Sequence, residues 1–166
     1  MSRVQWTFEA ASILNAAPAV DDEGRCYFGS RGGVFRAVDP AGALLWSYEK
    51  AVPVISSPLL HGGLLYTVKD GGILTAFDAE TGRVVKQARL EGGVDKYYSS
   101  PIAAGGRIYI LSEGGTASVV AAGSDWTLLW SGELGEPCYA TPAVAGDTLF
   151  LRTAGHLHAF GPEKED

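Results

Sequence analysis

Two cysteines and one methionine are all the sulfur in 166 residues, so no disulfide framework or thiolate metal cluster is written into the chain. Also missing is any apolar run near the roughly 18 residues that a membrane-spanning helix needs. The N-terminal MSRVQWTFEA has no apolar stretch of signal-peptide length. The chain as written is therefore expected in the cytoplasm, or exported if a leader has been removed, with no membrane insertion. Charge of either sign is sparse: 13 Lys and Arg oppose 19 Asp and Glu, a net of −6. Apart from the tail Glu163 to Asp166 these charges are scattered, and the lack of a basic patch excludes nucleic acid as a partner. Helical periodicity is absent as well, because glycine-containing turns break every candidate stretch before it completes three turns.

What the sequence has is a repeat, and 46% hydrophobic residues spread over it. Four small-small-Pro triplets, Ala16-Ala17-Pro18, Ser56-Ser57-Pro58, Ser99-Ser100-Pro101 and Ala140-Thr141-Pro142, lie 40, 43 and 41 residues apart. After each comes a short apolar run and a tight turn, at Asp22-Glu23-Gly24, His61-Gly62-Gly63, Ala104-Gly105-Gly106 and Ala145-Gly146-Asp147. A β-forming strand follows with an aromatic residue in each copy, as in Cys26-Tyr27-Phe28, Leu64-Leu65-Tyr66, Ile108-Tyr109-Ile110 and Leu149-Phe150-Leu151. Then come a second glycine turn, a third strand, a polar turn and a fourth strand such as Leu44-Leu45-Trp46 or Leu128-Leu129-Trp130. A period of about 40 residues made of four strands predicts an all-β propeller of four-stranded antiparallel blades.

The ends show how the repeat is cut. The last copy stops after its third strand, His156 to Phe160, while Val4 to Phe8 precede the first copy as an orphan strand. Trp6 fits the slot of Trp46 and Trp130, so the orphan is expected to supply the missing fourth strand and remove an unpaired edge. Residues 1–166 then form one domain of four blades, approximately 11–50, 51–91, 92–135, and 136–161 completed by 4–10. Closure is expected either within the chain or by strand exchange in a dimeric eight-bladed ring.

These repeats resemble those of the quinoprotein alcohol dehydrogenases and of the outer-membrane assembly lipoprotein that shares their propeller. Blades in that family end on Ala-x-Asp-x-x-Thr-Gly-x-x-x-Trp, the tryptophan packing between blades. Here the second blade has Ala76, Asp78, Thr81 and Gly82 with Lys86 in the tryptophan slot. The first has Ala37, Asp39, Gly42 and Trp46, and the third keeps Trp130. The resemblance implies that Trp6, Trp46 and Trp130 pack between blades and that the Lys86 interface is looser or more solvated. It also implies rings of seven or eight blades, whereas this chain supplies four. A four-bladed ring, two chains closing one eight-bladed ring, or a piece excised or engineered from a longer propeller would each answer that mismatch.

Catalytic chemistry is harder to find. A quinoprotein needs a calcium, a catalytic Asp and an aromatic floor under the quinone, and no residues here can be assigned to them, so no cofactor is expected. Cys26 aligns with Leu65, Ile108 and Leu149 and is read as a buried free thiol, a disulfide to Cys138 being the other option. His156 and His158 share a strand face as metal ligands can, yet no third ligand is placed beside them. The triplet hydroxyls read as small residues of a crowded inner strand rather than nucleophiles. Function then falls to the loops before the inner strands and between second and third strands, which carry Arg31, Lys69, Asp70, Asp95, Lys96, Tyr98, Glu113 and Glu136. Such a rim is either plain solvated surface or a docking site for a protein or peptide. The chain is read as a non-catalytic scaffold for interaction or assembly, self-associating as a homodimer, with a quinone-dependent dehydrogenase domain as the alternative.

Overall fold

The computed structural model describes residues 3–10, 12–50, 52–53 and 55–162; the charged tail Glu163 to Asp166 lies outside them. Within this range the strands form four antiparallel sheets in strict chain order. The first comprises β1 (Ala19–Val20), β2 (Cys26–Ser30), β3 (Val34–Val38) and β4 (Leu44–Tyr48). The second holds β5 (Leu59–His61), β6 (Leu64–Lys69), β7 (Ile73–Asp78) and β8 (Val84–Arg89). In the third are β9 (Ile102–Ala104), β10 (Arg107–Leu111), β11 (Thr116–Ala121) and β12 (Leu128–Glu133). The fourth has three strands, β13 (Ala143–Ala145), β14 (Thr148–Arg152) and β15 (Leu157–Phe160). No helix occurs among the described residues.

Local chemistry dictates these blades. At Gly62-Gly63 and Gly105-Gly106 both turn residues have positive φ, between 56° and 75°, the backbone of a two-residue hairpin whose twist matches its strands. The polar turn before the fourth strand is built on an aspartate: Asp78 Oδ1 accepts from the Thr81 amide and hydroxyl, at 2.8 and 2.7 Å. Asp39 Oδ1 accepts likewise from the Ala41 and Ala43 amides, at 2.9 and 2.8 Å. Glycine then closes the turn because a tryptophan of the preceding blade lies on it: a Cβ on Gly82 would stand 2.5 Å from Trp46 Cδ2. Each complete blade also carries a bulge at the same place in its fourth strand, where Leu45, Val85 and Leu129 are the extra residues opposite Ala37-Val38, Ala76-Phe77 and Val119-Val120.

Sheets stack face to face, so the core lies between blades and the middle strands are buried on both sides. Between blades one and two lie Tyr27, Phe35, Leu65 and Phe77 with Trp46. Larger is the cluster between blades two and three, with Tyr66, Leu74, Leu90, Tyr97, Ile108, Ile110, Val120 and Trp126. The inner strands are joined by a repeated hydrogen bond from the second triplet residue to the next blade. The Ala17 amide donates to Ser57 Oγ (3.1 Å), Ser57 to Ser100 Oγ (2.9 Å) and Ser100 to Thr141 Oγ1 (3.1 Å). These hydroxyls therefore stitch blades together as well as saving space.

Three expectations are corrected. First, residues 3–10 form no strand and do not pair with β15, so the expected completion of blade four by residues 4–10 is not seen within the described chain. Second, the Lys86 interface is filled rather than loose. The next blade sends Trp126 into it, 4% exposed, with Lys86 Nζ 5.1 Å from the indole and 2.6 Å from Asp125 Oδ1. Tyr66 Oη accepts from the Gly123 amide of the same turn at 2.8 Å. Third, Trp130 is 53% exposed and its ring folds over Gly132 of its own strand. No polar turn like those at Gly42 and Gly82 follows β15 within the described residues, so this tryptophan has no glycine of a next blade to rest on. Cys26 differs in degree, being a free thiol that is half-buried, whereas Cys138 is free and buried.

Candidate functional site

The loops leading into each blade and the turns between second and third strands meet in one continuous seam. Within a blade, the incoming loop is pinned to the turn by backbone bonds: Arg31 N to Ile13 O, Glu113 N to Lys96 O and Ala154 N to Pro137 O, at 2.8 to 2.9 Å. Between blades, Gly71 N donates to Asp95 O and Cys138 N to Glu113 O. Each amide satisfied here is one that loop backbone would otherwise leave to water.

Three of the carboxylates singled out from sequence hold this seam. Asp70 Oδ1 accepts from the Tyr97 amide at 2.9 Å. Asp95 accepts from its neighbour Lys96 and, through Oδ2, from the Gly114 amide. Burial works against the Asp95 anion, but the Gly114 amide, the Ser112 hydroxyl and the Lys96 amide outweigh it and hold its pKa below the ordinary value. Glu136 does the same job one blade later. Its Oε2 accepts from the Thr153 hydroxyl (2.6 Å) and the Gly155 amide (2.9 Å), and its Oε1 meets His156 Nδ1 at 2.7 Å. The Thr153 hydroxyl, then the Gly155 amide, draw its pKa from 4.5 down to about 2.

Of the remaining candidates Arg31, Lys69 and Lys96 are exposed, while Tyr98 and Glu113 are half-buried. Lys96 lies beside this seam, and Tyr98 and Tyr139 pair with ring centroids 5.7 Å apart. Tyr139 is 57% exposed and hydrogen-bonds Glu113, whose negative charge raises its pKa. Beside it Ala140, Arg152, Thr153 and Ala154 line a recess of about 290 Å³. Asp70, Asp95, Lys96, Tyr98, Glu113 and Glu136 are thus brought together across blades two to four. Arg31 stands apart on the turn of blade one, and Lys69 is exposed at the end of β6. Sequence reasoning missed Tyr139, although it precedes its triplet as Tyr98 precedes Ser99-Ser100-Pro101. His156 and His158 lie with rings 5.8 Å apart, one held by Glu136 and the other 3.3 Å from Thr153 Oγ1. No group of three or more metal-ligating side chains occurs among the described residues.

Stacked four-stranded blades in chain order, with a polar-turn motif seated under the tryptophan of the previous blade, define a β-propeller of pyrroloquinoline-quinone-like repeats. Residues 2–93 match the family described as outer membrane protein assembly factor BamB, and the chain belongs to that family. No curated protein matches the sequence. Among solved structures, BamB from Moraxella catarrhalis is similar at 21% identity with a TM-score of 0.80, over 95% of this chain and 49% of that one. The computationally designed Ika4 protein is similar at 13% identity and the same TM-score, over 97% of this chain and 99% of its own. Quinohemoprotein alcohol dehydrogenase ADHIIG from Pseudomonas putida HK5 is similar at 16% identity and TM-score 0.68, over 87% of this chain and 29% of that one. Likeness at these identities concerns the fold, and the chain spans about half the length of the BamB structure.

Proposed function

We propose that the chain is a non-catalytic propeller scaffold whose rim, around Lys96, Tyr98, Glu113 and Tyr139, docks a protein or peptide partner, and that two copies complete one ring. The observation that carries the reading is the division of labour on this face. Asp70, Asp95 and Glu136 are consumed by backbone amides, while an aromatic pair flanked by one lysine and one glutamate is left facing outward. Surface tyrosine is enriched at recognition surfaces, since it buries much area at little entropic cost. The match of nearly the whole chain to all of Ika4, set beside half of BamB, supports a half ring, natural or engineered.

The likeness to a quinohemoprotein alcohol dehydrogenase gives the second reading its only support. A quinone site would need carboxylate oxygens free to hold calcium. On this rim Asp70, Asp95 and Glu136 instead accept from loop and turn amides, Glu113 pairs with Tyr139, and no three metal-ligating side chains converge among the described residues, so the residues present do not fit the group. Two measurements separate the readings. Replacing Lys96, Tyr98 and Tyr139 by alanine should spare folding and lower retention of a bound partner at least tenfold, and unchanged retention removes the rim from the account. Added pyrroloquinoline quinone with calcium should leave no bound chromophore; a chromophore with alcohol-dependent dye reduction would overturn the scaffold.

A further inference from the structure

We propose that residues 4–8 are the fourth strand of blade four in a second copy, in one register with Trp6 opposite Ala159, so that two chains exchange N-terminal strands. This deepens the half-ring part of the reading above and is independent of what the rim binds.

The N-terminal segment is already docked by its side chains. Trp6 Nε1 donates to Pro40 O at 2.8 Å, and a Cβ on Gly42 would meet Trp6 Cδ2 at 2.8 Å. Trp46 repeats this one blade later, donating to Ala79 O at 3.0 Å and lying on Gly82 through the same ring atoms. Phe8 packs edge-on against Phe28 with centroids 5.6 Å apart, and Ala10 is buried beside them. Residues 3–8 therefore occupy the place of a fourth strand belonging to a blade before blade one. No such blade lies among the described residues, and the backbone there is in no ladder.

Blade four shows the matching vacancy. In the three complete blades an aromatic residue of the second strand faces a residue of the third, which faces the tryptophan slot of the fourth. The sets are Tyr27, Ala37 and Trp46; Tyr66, Ala76 and Lys86; and Tyr109, Val119 and Trp130. In blade four Phe150 faces Ala159, and β15 has no further neighbour among the described residues. Carrying the blade-one register across puts Trp6 on Ala159, Thr7 on His158, Phe8 on Leu157 and, past the bulge, Val4 on Phe160. That register sets exposed apolar side chains against each other, for Val4, Leu157 and Phe160 are 79%, 70% and 48% exposed in the single chain. Cross-strand contact of such pairs is what stabilises a sheet. The chain's own β15 lies three blades away from its N-terminus, and the two apolar halves match in register, so the proposal takes a second copy as the occupant. The exchange then repeats about a two-fold axis as two identical junctions that leave no edge.

The test is a cross-link that reads the register. Facing residues of antiparallel neighbours lie about 4.5–5.5 Å apart at Cα, within disulfide reach. Thr7→Cys and His158→Cys, combined in a Cys26→Ala chain, should on oxidation move most of the protein to a thiol-reversible dimer band. Thr7→Cys with Ala159→Cys, whose side chains would leave the strands on opposite faces, should not. Absence of the first dimer, or its appearance only with the second pair, overturns the proposal. Phe8→Pro provides a check without oxidation, because residue 8, like Tyr48 opposite Phe35, would turn its amide toward the neighbouring strand, and the change leaves Trp6 on blade one. It should be monomeric by light scattering, and a persistent dimer would contradict strand exchange. Lys96→Ala with Tyr98→Ala should leave the cross-link yield unchanged, so failure of the exchange and failure of the rim are read separately.

Discussion

At the scale of single residues, glycine and carboxylate do the specifying. Gly82 has φ +70° under Trp46, whereas Gly62 has φ +60° with nothing within 4 Å of an added Cβ. Alanine at Gly62 should cost about 1 kcal/mol for backbone conformation alone, and at Gly82 about 3 kcal/mol or more because the indole must also shift. Urea midpoints of the two variants check the difference, and equal losses would contradict it. Glu136 carries a pH signature. Its folded pKa of about 2 lies below 4.5, so its contribution to stability is present above pH 4.5 and is lost as pH falls from there toward 2. Wild type should therefore exceed Glu136→Gln in urea midpoint near neutrality, with the gap closing in acid; a gap that does not depend on pH would show that the charge is immaterial.

Elements repeat because the inner strands are fastened alike. Ser57→Ala or Ser100→Ala deletes the acceptor of an interblade amide, with an expected cost of about 0.5–1 kcal/mol each, and the two losses should add since they serve different blade pairs. Thermal unfolding of the single and double variants measures this. Much at this scale was legible in the sequence. Triplet spacing, matched aromatics and the missing fourth strand gave blade number and strand order, because each reflects local backbone chemistry. The Lys86 interface was not legible: its filler, Trp126, comes from a degenerate turn of the next blade, and only stacking brings the two together. The turn-capping carboxylates left a signal that could have been used. Asp95 and Glu136 each precede the glycine they cap, Gly114 and Gly155, by 19 residues. The rim face was legible as loops, while its division into seam residues and outward-facing tyrosines needed the hydrogen bonds.

For the whole molecule, the proposed exchange makes two halves of one junction from an N-terminal segment with its side chains seated and its backbone in no ladder, and a last blade whose β15 has no further neighbour among the described residues. The hydrogen-bond chain of the inner strands points to the same place, since it begins at Ala17, the one triplet without a second-position hydroxyl, and ends at Thr141. In a closed ring the Thr141 amide of one copy would face Ala17 of the other. Ala17→Ser should supply the absent acceptor at both junctions and tighten the dimer by about fivefold or more, measured as the dissociation constant by sedimentation; no change would mean that these two positions do not meet.

The central claim, that this chain is half of a ring, is tested most directly by absolute mass from light scattering on a sizing column. Twice the 17.5 kDa chain mass is the result expected, held on dilution into the micromolar range. A mass of 17.5 kDa at all concentrations would contradict it and leave β15 as an open edge.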